Sequence, residues 1–352
     1  MFAFVGHQRC RFFVCAFLAV VAGKNARPQG IEDQKDFQAF KGLKPNSVAI
    51  SPKDNWVAGG GFKPGTVRAI GMIKVWDFKT GKELLSYEDA KGSIECLAFS
   101  PDGNYLAAGG VGTTVKLWHL QTGKPHRTFR HSGLVRTLAF SPDGKMLATC
   151  DDDSVEQRDL IGLWNIETGA KKRLRPKEAI LEHLQFSPKG NVLASASQKT
   201  ISLWDTQAGK EISTFPAHEK RITCLAFSPD QKFLASASMD GTIRIWRLTK
   251  EGGQVLSLDA HNAGAWSLVF SRDGKRLISG GYDRPKDKEF GGKGTVKIWS
   301  LKEKKLLRTF DAHDLPTLSV SLAKDGRYIA SGSQDGTVKV WTAPKELWHK
   351  KN

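Results

Sequence analysis

Seven tryptophans, Trp76, Trp118, Trp164, Trp204, Trp246, Trp299 and Trp341, recur at intervals of 40 to 53 residues. Each closes a short run of alternating β-branched and basic or polar residues. Ahead of that run lies a stretch of small residues, and ahead of that an apolar stretch ending in a Ser-Pro turn or its equivalent. A strand-only unit repeated seven times near a 40-residue period predicts an all-β fold, a seven-bladed β-propeller of four-stranded antiparallel blades. The clearest copy is residues 227–246, FSPDQKFLASASMDGTIRIW, which reads as two hairpins sharing a strand. Such a unit is marginal in water unless something packs on it, so it has to recur.

Taken in order, residues 1–23 stand outside the repeat. His7, Arg9 and Arg11 precede a ten-residue apolar run, Phe12 to Val21, and Val21-Ala22-Gly23 supplies small residues for cleavage. This reads as a secretory signal peptide. The run is short for a bilayer span, and Cys15 within it lacks a lipidation context. Residues 24–34 are polar, contain Pro28 and Gly30, and read as a linker. Asp36 to Phe40 offers one short strand before the first Ser-Pro turn. The repeats occupy residues 35–343, and residues 344–352 read as a basic C-terminal tail.

Within the repeats the innermost strands read SIECLAF, LVRTLAF, RITCLAF and AWSLVF, apolar on nearly every residue. Both blade faces are therefore expected to be buried. The next strands, LAAGG, LATC, LASAS and LISGG, are poor in bulk, which lets adjacent blades approach near the axis. Turn signals after the tryptophans, such as Gln121-Thr122-Gly123, lead into an outer strand. Cys96, Cys150 and Cys224 remain after cleavage, too few for a disulfide framework. Cys96 and Cys224 occupy one repeat position, where Thr137 and Ser267 stand elsewhere, and read as small buried thiols.

The run Asp335-Gly-Thr-Val-Lys-Val-Trp341, the pairs Trp76-Asp77 and Trp204-Asp205, and the His-to-Trp spacing resemble the WD-repeat family, although only two repeats end in a literal Trp-Asp. The resemblance covers residues 35–343. It implies a propeller used as a binding platform, usually without catalysis. It also implies that the outer strand missing after Trp341 is supplied by the other terminus, with Asp36 to Phe40 as the candidate; closure removes free sheet edges.

A Ser or Thr, His, Asp and Trp set recurs at blade period: His131, Thr149, Asp153 and Trp164 in blade 3; His218, Ser236, Asp240 and Trp246 in blade 5; His261, Ser279, Asp283 and Trp299 in blade 6; and His313, Ser331, Asp335 and Trp341 in blade 7. One copy could be taken for a hydrolase triad. Four copies resemble the family's structural network, in which the Asp holds the His, the hydroxyl bridges and the indole N–H gains an acceptor. Blades 1, 2 and 4 carry Lys41, Ala90 and Lys177 at the His position and Lys63, Gly112 and Lys199 at the Asp position.

Counted from the Ser-Pro turn to the tryptophan, blades 2, 5 and 7 span 18 residues and blade 4 spans 17, but blades 1, 3 and 6 span 25, 23 and 28. The excess falls between the second and third strands, a connection that emerges on one face of a propeller. Three insertions there nominate a partner-binding surface. Its candidate residues are Phe62, Lys63 and Arg68; Asp151, Asp152, Arg158 and Asp159; and Arg284, Lys286, Lys288 and Phe290. An aromatic beside an Arg has the composition of an interface anchor.

The formal charge is +17, or +15 without Arg9 and Arg11, which favours acidic partners and specifies none. The Asp151–Asp153 run and the basic run 171–177 read as solvated surface rather than as metal or phosphate sites. No phosphate-binding Gly loop, Cys-x-x-Cys or His-x-x-x-His spacing is present. The expectation is therefore a non-catalytic protein-interaction scaffold, without cofactor or metal, exported, and monomeric or part of a complex. Polyanion or nucleic-acid binding is the alternative, suggested by charge alone. An exported propeller hydrolase or lyase is a third reading, with its chemistry at the central channel mouth.

Overall fold

The computed structural model describes residues 34–37, 44–53, 55–63, 70–89, 92–153, 158–177, 180–248, 253–285 and 291–347. The predicted signal peptide lies outside the described residues, as do Lys41, Ala90, Arg68, Lys286, Lys288 and Phe290. The described strands form seven four-stranded antiparallel sheets. The blades comprise residues 44–89, 94–130, 138–174, 181–216, 222–259 and 265–313, and for blade 7 residues 317–342 together with Gln34–Phe37.

Blade 5 shows how the repeat makes a blade. Its strands, from the axis outward, are Ile222–Phe227, Phe233–Ser238, Thr242–Arg247 and Gln254–Asp259. The Ser-Pro-Asp turn between the first two is self-contained: Ser228 Oγ donates to Asp230 Oδ1 at 2.6 Å and accepts from Phe233 N at 2.9 Å. The third residue after this serine is left-handed in six blades. Gly103, Gly144, Gly190, Gly274 and Gly326 supply it in five, and Gln231 adopts it at φ 59°.

Ring closure uses the amino-terminal strand. Gln34–Phe37 pairs antiparallel with Val338–Thr342, Gln34 opposite Trp341 and Phe37 opposite Val338. The strand thus starts two residues before the expected Asp36, because its partner has to be met from Trp341 outward. The expected basic tail also begins as structure. Lys345–Leu347 form a 3₁₀ turn whose Leu347 is buried beside Ile298 and Trp341 in the core between blades 6 and 7. Among the described residues no helix is long and apolar enough to cross a membrane.

The core is divided into seven apolar clusters, each built from two neighbouring blades. Small residues on the second strands make this possible. A Cβ on Gly60 of blade 1 would lie 2.7 Å from Ile94 and Leu97 of blade 2, and one on Gly332 of blade 7 would lie 2.3 Å from Val48 of blade 1. Around the axis a second device joins the blades. Leu97 N donates to Ser47 Oγ at 3.2 Å, Leu184 N to Thr137 Oγ1 at 3.2 Å and Leu225 N to His183 Nδ1 at 3.3 Å. Val320 N donates to Ser267 Oγ at 3.1 Å and Val48 N to Ser319 Oγ at 3.2 Å. The Cys96 and Cys224 thiols fill the same position, 3.6 and 3.7 Å from Val135 O and Leu268 O of the next blade. One side chain per inner strand thus reaches the following blade, all the way round the ring.

The second-to-third-strand connections share a face with the segments that lead from one blade to the next, because His218 in such a segment meets Asp240 in such a turn. The remaining turns lie on the opposite face, where Thr206 Oγ1 bonds Gly190 O at 2.8 Å. The three insertions are in part lengthened ladder rather than loop. They lengthen the hairpins to eight residues per strand: Trp56–Lys63 with Ile70–Asp77, Met146–Asp153 with Arg158–Asn165, and Arg276–Asp283 with Lys293–Ser300. The residues added to these strands stay in ladder register because a paired backbone leaves no orphan N–H or C=O.

Candidate partner-binding face

Beneath the hairpin face lies the repeated polar network. In blade 5, Trp246 Nε1 donates to Ser236 Oγ at 2.9 Å, Ser236 Oγ lies 2.7 Å from His218 Nε2, and His218 Nδ1 lies 3.0 Å from Asp240 Oδ2. One tautomer satisfies every member: the serine donates to a neutral Nε2, and Nδ1–H donates to the carboxylate. In blade 6 the distances are 3.0 Å from Trp299 to Ser279, 2.9 Å from Ser279 to His261 and 3.3 Å from His261 to Asp283, which also holds Lys297 at 2.8 Å. In blade 7, Ser331 lies 2.7 Å from His313, and His313 lies 3.1 Å from Asp335. The indole does not join that chain. Trp341 Nε1 has no hydrogen-bond partner among the described residues, and its ring packs on Phe310 at 5.9 Å instead.

In blade 3, Trp164 Nε1 donates to Thr149 Oγ1 at 2.9 Å, and the His131 ring meets the Trp164 ring edge-on at 5.3 Å. The side chain of Asp153 lies outside the described residues. Blade 4, which lacks the His and Asp, keeps the inner link: Trp204 Nε1 donates to Ser195 Oγ at 2.9 Å. That link was legible in the sequence, since Ser195 holds the repeat position of Ser236.

Burial opposes the charge on Asp240, but hydrogen bonds from the Thr242 hydroxyl and N–H and from His218 outweigh it, bringing its pKa down to about 2. Burial likewise opposes the Asp335 carboxylate, and His313 and Thr337 bring it down to about 2. Asp283 is held well below the usual carboxylate range against burial, chiefly by His261 and Lys297. Desolvation lowers the His218 and His261 imidazoles in spite of their Asp partners. The serine hydroxyls at 236, 279 and 331 are all 0% exposed, so no substrate carbonyl can reach them. This constellation is a buried hydrogen-bond network rather than a nucleophilic triad.

Above the network, Phe62 and Lys63 end the second strand of blade 1, with Lys63 Nζ 3.8 Å from Glu88. Asp151, Asp152, Arg158 and Asp159 sit in the blade 3 hairpin, where Asp152 pairs with Asp159 and Asp153 with Arg158 in the backbone ladder. Arg284 is exposed, lies 5.9 Å over the Tyr282 ring, and has its backbone clamped by Asn262, which accepts from Arg284 N at 2.7 Å and donates to Arg284 O at 2.8 Å. The structure thus places candidates from blades 1, 3 and 6 on one face. It adds exposed apolar residues there that sequence reasoning missed: Val111, Ile180 and Leu315 are 50%, 37% and 42% exposed.

Also missed was the channel mouth. The inner strands are not buried throughout: at one of their half-exposed repeat positions, beside the axis, stand Asn46, Glu95, Arg136, Glu182, Thr223, Trp266 and Leu318. Asn46 Nδ2 lies 3.3 Å from Glu95 Oε2, and burial raises the Glu95 carboxyl. Arg221 lies 3.6 Å from Glu182 and 6.0 Å from the Trp266 ring. The polar letters at this position in successive repeats were the available signal.

A family model described as the IFT122 first beta-propeller matches residues 46–285, and one described as WD domain, G-beta repeat, matches residues 304–342. The chain is 27% identical to periodic tryptophan protein 2 of Arabidopsis thaliana over 83% of its length and 31% of the relative's. It is 24% identical to periodic tryptophan protein 2 of Saccharomyces cerevisiae, over 96% of its length and 38% of the relative's. Over 40% of its length it is 32% identical to WD repeat-containing protein SL1-17 of Schistosoma mansoni, covering 43% of that protein. The chain spans less than half the length of each of these relatives.

Proposed function

Since the chain belongs to the WD-repeat β-propeller family, we propose that it is a non-catalytic protein-interaction scaffold whose partner docks on the hairpin face. The observation that carries this reading is the lengthening of three hairpins, in blades 1, 3 and 6, all on one side of the ring. Rigid paired strands present a docking surface at lower ordering cost than free loops. The exposed Val111, Ile180 and Leu315 on the same face supply apolar contact area, and Arg284 stacked on Tyr282 supplies an anchor of the kind enriched in hot spots. The basic net charge favours an acidic partner. Residues 1–23 support a partner outside the cytoplasm.

The test replaces residues 284–293 with a turn of blade 5 length. That cut spares Asp283 and Thr295 and so leaves the blade 6 network in place. Affinity for a partner isolated by pull-down with the full chain should fall at least about tenfold, or about 1.4 kcal/mol. Unchanged affinity in a trimmed protein that melts like the parent would remove the blade 6 hairpin from the binding surface.

A further inference from the structure

On the opposite face, each blade turns from its inner to its second strand through an exposed tip. In blades 2, 3 and 5 the tip reads Pro-Asp: Pro101-Asp102, Pro142-Asp143 and Pro229-Asp230. Blades 6, 7 and 1, consecutive around the ring, each replace one of these residues with a cation. Arg272 and Lys324 stand in place of the proline, and Lys53 stands in place of the aspartate. All three cations line one pocket of about 270 Å³ at the junction of these blades. Its apolar floor is formed by Ile50, Phe78 and Tyr328, the two rings 4.8 Å apart and tilted.

The cations are exposed, and none of the three forms an ion pair among the described residues. The carboxylates of the same turns are already engaged. Asp325, the one described acid in the lining, accepts from Arg327 N at 2.9 Å and lies 3.8 Å from Arg327 Nε. Asp273 accepts from Ser271 Oγ at 2.6 Å and Lys275 N at 3.0 Å, and lies 3.4 Å from Arg276. Blade 4 also carries a cation at its tip, Lys189, but the pocket it lines holds that one cation beside one acid, Asp143. The lining at the junction of blades 6, 7 and 1 has three cations and, among the described residues, one acid. The junction of blades 6, 7 and 1 is therefore a place where an apolar floor meets several uncompensated positive charges.

We propose that this pocket binds an acidic peptide segment of a protein partner. One aromatic or large aliphatic side chain of the peptide rests on Phe78 and Tyr328, and flanking carboxylates meet Lys53, Arg272 and Lys324. The cavity, at about 270 Å³, has room for one inserted side chain. Cations at the rim steer and orient an anionic partner, while the floor supplies apolar burial. The site is on the other side of the ring from the hairpin face and does not depend on it.

The probe is a fluorescein-labelled peptide of four glutamates, one phenylalanine and four glutamates, titrated into the full chain at low ionic strength and followed by anisotropy. It should bind. The double substitution Arg272→Glu with Lys324→Glu, at exposed positions, should weaken it at least about tenfold while leaving the melting temperature unchanged. The control Lys189→Glu should leave binding as it was, and an alanine-centred peptide should bind at least about fivefold more weakly. Absence of peptide binding, or an equal loss in Lys189→Glu, overturns the proposal in favour of diffuse charge. Equal binding of both peptides overturns it too, and an oligonucleotide sharing the same variant dependence would then identify a polyanion site. Trimming the blade 6 hairpin should not affect this titration, which separates the two surfaces.

Discussion

His183 stands where the other inner strands carry Ser, Thr or Cys, and it does their work by accepting from Leu225 N at 3.3 Å. Its imidazole is half-buried, with Nε2 3.6 Å from the Cys224 thiol, and desolvation pushes its pKa down from 6.5 to about 4. The unfolded chain binds this proton below pH 6.5 and the folded chain only below about 4. Stability is therefore undiminished above pH 6.5 and falls as pH drops through that window, by up to about 3 kcal/mol. In His183→Ser the hydroxyl keeps the interblade bond without the titration, so urea midpoints at pH 4.5 and 7 should lie closer together than in the parent. An unaltered gap would show that the acid sensitivity resides elsewhere. Asp240 and Asp335, at about 2, act in a lower window: their stabilisation is present above 3.8 and lost as pH falls toward 2. Asp240→Ala removes the acceptor for His218, Glu219 N and Thr242 N. It should cost on the order of 1–3 kcal/mol in chemical denaturation. Gly112→Ala, at the same repeat position in a blade without the His and Asp, should cost less than about 0.5 kcal/mol. Equal melting of Asp240→Ala and the parent would contradict a structural role for the network.

At the scale of the element, the blade is a sheet whose two faces are both covered, so its periodicity is weaker than that of a half-exposed strand. This is why the inner strands read as continuous apolar runs and their channel-facing position escaped notice. The insertions illustrate a related difficulty. Counting residues between the Ser-Pro turn and the tryptophan locates an excess, but the count does not distinguish loop from lengthened ladder. In blade 6 the ladder runs on to Asp283 opposite Lys293, and the side-chain amide of Asn262 clamps Arg284 at its end. The trimmed blade 6 hairpin should therefore keep its fold, since the pairs from Arg276 with Ser300 to Gly280 with Val296 remain, the same extent as in blade 5. The predicted loss is confined to partner affinity. Ring closure belongs to this scale as well: Gln34–Phe37 gives blade 7 its fourth strand and covers the edge of Val338–Thr342.

At the scale of the whole molecule, seven interblade cores of similar construction make a ring in which each blade is stabilised from both sides. In the proposed reading, function rests on departures from the repeat. Lengthened hairpins in blades 1, 3 and 6 mark one face, and cationic turn tips in blades 6, 7 and 1 mark the other. A ring with two independent surfaces can hold two partners at once. The proposed export through residues 1–23 has a chemical test. If residues 1–23 act as a signal peptide, amino-terminal sequencing of the native protein should begin near Lys24. A native protein beginning at Met1 would overturn export through this segment.

The seven-fold spacing of Trp76 to Trp341, the turn residues and the small-residue strands by themselves determined the architecture, because a repeat that cannot bury its own faces has few ways to do so. The repeat register likewise brought out His218, Ser236 and Asp240 as one set, since members of a local motif keep fixed offsets. Contacts between blades were decided only by tertiary structure. The ring of side chains from Ser47 to Ser319, the meeting of Lys53, Arg272 and Lys324 at one pocket, and the isolation of Trp341 Nε1 all join residues from separate units or depend on how a ring packs. Sequence offsets within a repeat carry no information on which atoms of the next repeat lie within hydrogen-bond reach; closing the ring settles that, by bringing residues about 270 positions apart, such as Val48 and Ser319, to 3.2 Å.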